Sequence, residues 1–286
     1  MFLCGIHTRR LKKMARPHVG SAVPAALFAL LLVVLVGGTV AHFGIQKYHA
    51  PPPITATAEE VDRQYHLTLY LMGGVFVAAQ LGLAFAILWY RDRGRRARFL
   101  SGNNALEFTW TAAAIVLFLG LGALGRKAWA DVRYTGPEAG SVQVEVTGAQ
   151  FVFTFRYPGP DGKFGKIDPQ LISASTGNPL GLDPGDPAGR DDIVTSVLTV
   201  PVGRPVELLI RSQDVVHNFF VRELRLQQDA VPGLVIPIHF TAQQKGRFQI
   251  VCTQLCGLGH QKMHAFLDVV SESAYEEFLR QQAARQ

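Results

Sequence analysis

Residues 251–264 read VCTQLCGLGHQKMH, and these fourteen positions hold two cysteines, two histidines and a methionine. Elsewhere the chain has one other cysteine, Cys4, and three other methionines. Thiolate, imidazole and thioether together select copper over hard cations. The candidate ligands are Cys252, Cys256, His260 and Met263, joined by His217, which opens the segment HNFFV 35 residues before Cys252. One cysteine with two histidines and a methionine would make a mononuclear blue copper site. A second cysteine four residues away lets two thiolates bridge two copper ions, each with a terminal imidazole from His217 or His260. Met263 is then a weak axial ligand to one ion. A backbone carbonyl, that of Gln254 between the thiolates, serves the other. Two ions sharing thiolates spread one electron over both, so geometry changes little on redox and electron transfer is fast. A Cys252–Cys256 disulfide is the plain alternative in an oxidising compartment, but it leaves the His-x-x-Met spacing and His217 without a role. Zinc on two Cys and two His leaves Met263 unexplained. His239 and His264 read as structural or exposed, and Cys4 as an unused thiol in a basic leader.

The elements around these ligands are strands. From Ser141 onward, short β-type runs alternate with Gly, Pro and Asp. VQVEV alternates apolar and polar residues, and QFVFTFRY sets Phe151, Phe153 and Phe155 on one face. SVLTVP, PVELLIRS, HNFFVREL, LVIPIHF, GRFQIVC and AFLDVV continue the series, so about eight strands with turn signals between them predict a β-sandwich or barrel. A cupredoxin-type sandwich takes one metal ligand from an earlier strand and the rest from the loop joining its last two strands. Here those strands are GRFQIVC and AFLDVV. The Pro-, Gly- and Asp-rich stretch 158–193 reads as a long surface loop, with no calcium-loop spacing in DPGDPAGRDD. The tail from Ser273 reads as a short surface helix.

Three runs of membrane length precede this domain, at about residues 23–41, 67–90 and 106–125. RDRGRRAR, with five arginines in eight residues, follows the second run, and short positive loops stay cytoplasmic. The second run therefore goes inward and the third outward, which puts everything after about Arg126 outside. The basic segment RRLKKMAR before the first run agrees. That first run, with TVA ending at Ala41, reads as a signal peptide or as a third membrane helix. The proline-bearing stretch 42–65 is external, and its TATAEE is a helix-capping signal. Residues 1–133 carry 15 Lys and Arg against 6 Asp and Glu, whereas residues 134–286 carry 13 against 16. The basic excess is thus membrane topology, and nucleic-acid binding loses its support.

Several separate segments, in order, resemble subunit II of haem-copper cytochrome c oxidases, which carries a dinuclear copper A centre. LEFTWT is similar to the family's Glu-x-x-Trp-Thr at the start of the second hairpin helix, and VTGAQFVFTFRYP to its aromatic strand. DVVHNFFV resembles the segment with the first copper histidine, DAVPG a family signature, and CTQLCGLGHQKM the copper loop. The likeness runs from about Tyr65 onward. It implies a transmembrane helical hairpin over residues 66–125 followed by an all-β cupredoxin-like Greek-key sandwich over 134–272, with a tail at 273–286. The implied copper ligands are His217, Cys252, Gln254 through its carbonyl, Cys256, His260 and Met263. The implied role is receiving electrons from cytochrome c and passing them to haem in subunit I, which also holds copper B, within a bacterial inner membrane and with the domain on the periplasmic side.

The sequence departs from the family at three points. Gln254 replaces a glutamate whose side chain also ligates magnesium at the boundary with subunit I, which leaves that ion open here. Phe151 replaces the tryptophan at which electrons come in, and the 158–193 loop is longer than in compact members. Glu107 stands where the family keeps a carboxylate at a proton-pathway mouth; it reads equally as an acid stabilised at a helix start. Two other functions remain as alternatives. A membrane-anchored copper chaperone or thiol oxidoreductase would need a thioredoxin-like βαβ pattern. A quinol-oxidase subunit II of the same fold would lack the ligand set.

Overall fold

The computed structural model describes residues 22–45, 50–93, 99, 101–134, 136, 138–173 and 175–285. Cys4, the basic leader and Arg95, Arg96 and Arg98 lie outside the described residues. Three helices come first: α1 (Ala22–Ile45), α2 (Ala56–Trp89) and α3 (Asn104–Arg133). Each is long and apolar enough to cross a membrane. Two compact units share the chain. One holds α1 with residues 67–117, and the other holds residues 50–66 with everything from 118 onward.

The surplus length of α2 explains this division. Its 34 residues rise about 51 Å at 1.5 Å each, against a hydrocarbon core of about 30 Å. The first ten residues carry Glu59, Glu60, Asp62 and Arg63 and belong with the β domain. Thr55 caps the helix by accepting from the Ala58 amide at 3.0 Å, as the TATAEE signal predicts. Ile54 is only 2% exposed; its amide donates to the Glu223 carbonyl at 3.1 Å and its carbonyl accepts from Gln243 at 2.8 Å. Arg225 grips Asp62 with two bonds of 2.8 Å and reaches the Pro51 carbonyl at 2.7 Å. At the end of α3, Arg133 bonds the Gln227 carbonyl at 3.0 Å and the Gln228 side chain. The segments before and after the two apolar stretches thus meet in one unit.

The β domain has ten strands: β1 (Val142–Ala149), β2 (Val152–Tyr157), β3 (Ile193–Thr195), β4 (Val197–Pro201), β5 (Pro205–Ser212), β6 (His217–Val221), β7 (Leu226–Ala230), β8 (Ile236–Thr241), β9 (Gly246–Val251) and β10 (His264–Val270). They form two five-stranded sheets, β3-β2-β1-β5-β8 and β4-β10-β9-β6-β7. The β1–β5 and β4–β10 pairs are parallel and the others antiparallel. Val144, Val146, Phe153, Phe155, Leu208, Ile210 and Phe219 from one or other inner face join Val221, Ile250 and Leu267 in a single core. Alternation brings these side chains inward together. Phe153 and Phe155 are buried as expected, but Phe151 lies just before β2.

The 158–193 stretch is more organised than a surface loop. Two short 3-10 turns, Pro169–Leu171 and Pro187–Gly189, are each capped by an aspartate, Asp168 and Asp186. Isolated bridges pair Ile167 with Leu182 and Ser173 with Asn178. Arg156, 2% exposed, ties the stretch to the sheet. It bonds Glu145, the Asp192 carboxylate at 2.9 Å and the Gly165 carbonyl at 2.8 Å, and lies 4.9 Å from the centre of the Phe164 ring. Through Arg156 the insertion is tied to Glu145 on the outer face of β1, where Glu145 and Thr147 are buried beside the valines. The tail forms α4 (Glu272–Ala283), capped by Ser271 and docked through Tyr275 and Phe278 onto Tyr157.

Candidate metal centre

The last hairpin builds the site. β9 and β10 pair up to Val251 opposite His264, and twelve residues between them form a loop. The Cys252 amide donates to the Met263 carbonyl at 3.2 Å, closing the loop at its neck. The far side folds as a short 3-10 turn, His260–Lys262, whose Met263 amide donates to the His260 carbonyl at 3.1 Å. This turn brings His260 and Met263 back over the cysteines. The two sulfurs are 3.9 Å apart, well beyond the roughly 2.05 Å of a disulfide, and both thiols are free. Cys256 Sγ is 3.5 Å from His260 Nδ1 and 3.8 Å from Met263 Sδ. Cys252 Sγ is 3.1 Å from the carbonyl oxygen of Gln254, whose side chain points to solvent.

His217 arrives from β6, the neighbour of β9. Its ligand atom lies within 4.8 Å of both cysteine sulfurs, and all three residues are buried. Nε2 is 2.7 Å from Asp214 Oδ1. Nδ1 is buried and lacks a hydrogen-bond partner. A buried polar atom without a partner is costly, whereas a carboxylate on one ring nitrogen and a metal on the other is the usual arrangement of a ligating histidine. The donors therefore fit a soft metal: the two cysteine sulfurs and His217 form one buried group, and His260, Met263 and the Gln254 carbonyl each adjoin one of its sulfurs.

The surroundings also bear on the chemistry. Burial and then the neighbouring Cys252 sulfur push the Cys256 thiol up to about 11, so it carries its proton at neutral pH until a metal displaces it. Burial alone would raise the Asp214 carboxyl, but hydrogen bonds from His217 and from the Gln150 and Val215 amides outweigh it and hold the group below its ordinary range. Sequence reasoning passed over three positions here. Asp214 is one, although an acid three residues before a ligand histidine was a usable signal. Gln150 donates from Nε2 to the Cys256 carbonyl at 2.6 Å and from its amide to Asp214 at 2.8 Å. Gly148 leaves room for the imidazole, since a Cβ there would stand 3.0 Å from His217 Cδ2. No local pattern marks these last two.

Phe151 is 37% exposed, and its ring lies across the loop glycines. A Cβ on Gly257, whose φ is +139°, would come within 3.1 Å of it, and one on Gly259 would overlap it. Leu255 and Leu258 stand out from the same loop, Leu258 almost fully exposed. Glu107 belongs to the other compact unit, in the first turn of α3 behind the capping residue Asn103.

Fold and site together define a class: a cupredoxin-like sandwich attached to membrane-length helices, with a cluster of sulfur and imidazole donors at its last hairpin. The family described as "Cytochrome C oxidase subunit II, periplasmic domain" matches residues 142–270. "Alternative cytochrome c oxidase subunit 2" of Bradyrhizobium diazoefficiens is 33% identical over 260 residues, covering 90% of this chain and 92% of its own. "Cytochrome c oxidase subunit 2" of Cereibacter sphaeroides is 30% identical over 241 residues, covering 79% and 78%. The crystal structure of the periplasmic domain of subunit II of cytochrome oxidase of Bradyrhizobium japonicum matches with a TM-score of 0.40 at 23% identity, over 53% of this chain and 99% of that one. The chain belongs to the cytochrome c oxidase subunit II family, and so to the subunits of cytochrome c oxidases.

Proposed function

We propose that this subunit receives electrons from cytochrome c at a dinuclear copper centre and passes them to haem in subunit I, where oxygen is reduced to water. The observation that carries this reading is the buried, partnerless Nδ1 of His217 beside a sulfur pair 3.9 Å apart. His217 and His260 would be the terminal imidazoles, Cys252 and Cys256 the shared thiolates, and Met263 and the Gln254 carbonyl the weak ligands. When bound, the copper pair supplies a one-electron acceptor with its charge shared between two ions.

The protein's own part is to hold these donors in place. Asp214 fixes the His217 ring and keeps its proton on Nε2, leaving Nδ1 free to ligate. Gln150 pins the Cys256 carbonyl, and the neck bond between Cys252 and Met263 sets the loop width. Burial excludes water from the sulfurs. Phe151 and the exposed leucines of the loop offer the carrier an apolar contact directly above the ligands. Gln254 presents an uncharged amide, and magnesium is held chiefly by carboxylates, so this position adds none to a boundary magnesium site. Glu107 would serve a proton pathway from the start of α3. The residue ranges follow the same scheme: 1–41 a signal peptide or first helix, 42–65 external, 66–125 the hairpin, 134–272 the copper domain, 273–286 the tail. Its setting would be the bacterial inner membrane, with the copper domain periplasmic. Arginines after α2 stay inside, which would leave residues 50–66 and 118–286, grouped in one compact unit, outside.

The test is metal analysis and electron paramagnetic resonance on the purified full-length chain. Two copper atoms sharing one unpaired electron are expected, with the signal lost in Cys256→Ser while the fold is retained. One copper, or zinc in its place, would overturn the reading.

A further inference from the structure

A second feature of the same loop concerns how it is held in register with the strand that supplies His217. β6 and β9 are bridged only at Phe220 with Val251 and Val221 with Ile250. Continuing that antiparallel register would set Asn218 opposite Thr253 and His217 opposite Gln254. The backbone ladder ends before this point, because β9 turns away to form the ligand loop. A side-chain bridge takes its place: the Thr253 hydroxyl donates to Asn218 Oδ1 at 2.6 Å. Each of these residues adjoins ligands. Asn218 follows His217, and Thr253 lies between Cys252 and Gln254.

The bridge is braced from behind. Asn218 is buried, and its amide donates to Asp229 Oδ1 at 2.6 Å, its partner across β6 and β7. Gln227 Nε2 donates to the Thr253 hydroxyl at 3.2 Å, so that hydroxyl both gives and accepts. Arg133, the last residue of α3, holds the Gln227 carbonyl at 3.0 Å and the Gln228 side chain. Gln228 in turn donates to the Asp229 carbonyl at 3.0 Å. A continuous hydrogen-bonded chain therefore runs from the end of a membrane-length helix to the residue between two candidate ligands. Asn218 is the buried member of this network, and Thr253, Gln227 and Asp229 are exposed; with its amide nitrogen held by Asp229 and its oxygen by Thr253, the Asn218 side chain is fixed in one orientation, since leaving either atom unpaired in a buried side chain is costly.

We propose that Thr253 and Asn218 are positioning residues for the metal centre, extending the β6–β9 register into the ligand loop, and that Arg133 anchors them to the end of α3. This rests on the copper reading given above. Removing the bridge leaves every ligand in the chain but frees the Cys252–Gln254 arm from His217. The effect falls on the spacing of the donors, so it changes the electronic character of the site as well as its hold on metal.

The experiment uses full-length protein in detergent, loaded with copper. Thr253→Val keeps the side-chain shape and removes the hydroxyl. We expect copper release to a competing chelator to increase about tenfold, as for other outer partners of ligands, with altered copper hyperfine splitting and a shifted midpoint potential. Thr253→Ser should restore all three readouts. Arg133→Met should move them in the same direction by less. Asn218→Ala carries the same test should Thr253→Val fail to fold. Wild-type retention, spectrum and potential in both hydroxyl- and amide-deleted variants would overturn the proposal, as would a Thr253→Ser variant that behaves like the valine. Failure of the wild-type chain to bind two coppers counts instead against the functional reading.

Discussion

Asp214→Asn isolates the contribution of one oxygen to the site. The carboxylate holds His217 Nε2 at 2.7 Å and also accepts from the Gln150 and Val215 amides at 2.8 and 2.7 Å. Asparagine has nearly the same shape and keeps one acceptor, so the turn can persist while the charge is lost. A hydrogen bond to a charged group is worth about 1.5–3 kcal/mol net and a neutral one about 0.5–1.5. The difference of about 1–1.5 kcal/mol corresponds to roughly a five- to tenfold loss of copper affinity. If the amide nitrogen turns toward the ring instead, it opposes the Nε2–H tautomer, and the loss moves toward the roughly hundredfold end seen for outer partners of metal ligands. Asp214→Ala removes the acceptor for Gln150 as well and should cost more. Competition with a chelator on the purified chain measures the affinity, and the electron paramagnetic resonance spectrum reports the histidine. Asp214→Asn protein with wild-type affinity, within twofold, and an unchanged spectrum would refute the assigned role of the carboxylate.

Copper loading should release protons and weaken as pH falls from 8 to 6, because the Cys256 thiol, raised to about 11, must give up its proton to ligate; a pH-indicator titration checks this, and Cys256→Ala should release fewer. Arg156→Met should destabilise the β domain by about 3–5 kcal/mol, since it removes the buried guanidinium that pairs with both Glu145 and Asp192; urea unfolding followed by fluorescence would show an unaltered midpoint if this is mistaken. Phe151→Ala should leave copper content intact but lower the kcat/KM for cytochrome c oxidation by the assembled complex about fivefold or more, the loss expected for an aromatic contact worth about 1 kcal/mol or more; equal kinetics with wild type would remove Phe151 from the carrier contact.

Much of this architecture is legible in the sequence because its causes are local. Apolar length gives the three helices, alternation gives most strands, Thr55 announces the start of α2, and the ligand loop declares its sulfurs by composition. What was not legible depends on partners distant in the chain. The strand β7, LQQDA, has only its two ends buried, so no alternation marks it; β3 is three residues long and sits beside a Gly- and Asp-rich stretch. Residues 42–65 read as an external segment, but the docking of Ile54 and Asp62 on the β domain does not show in the sequence, because their partners Glu223 and Arg225 lie more than 160 residues away. Phe151 shares the spacing of Phe153 and Phe155, yet the chain turns before β2 and sends its ring over the metal loop. Arg156 looks like an outward-facing charge at a strand end; only the folded insertion supplies the carboxylates that bury it.

That insertion has the composition of a protease's target: proline, glycine and aspartate in a run between strands. Such segments are nicked because they can open without disturbing the rest of the fold. Here Gly165, near one end, and Asp192, at the other, are both held by one buried guanidinium, so opening either end breaks a bond of the side chain that also holds Glu145 of β1. Cleavage resistance across these residues is therefore tied to the stability of the sheet beneath. A degradative enzyme would find no cheap cut at the two ends of the insertion, beside the sheet's central strand β1.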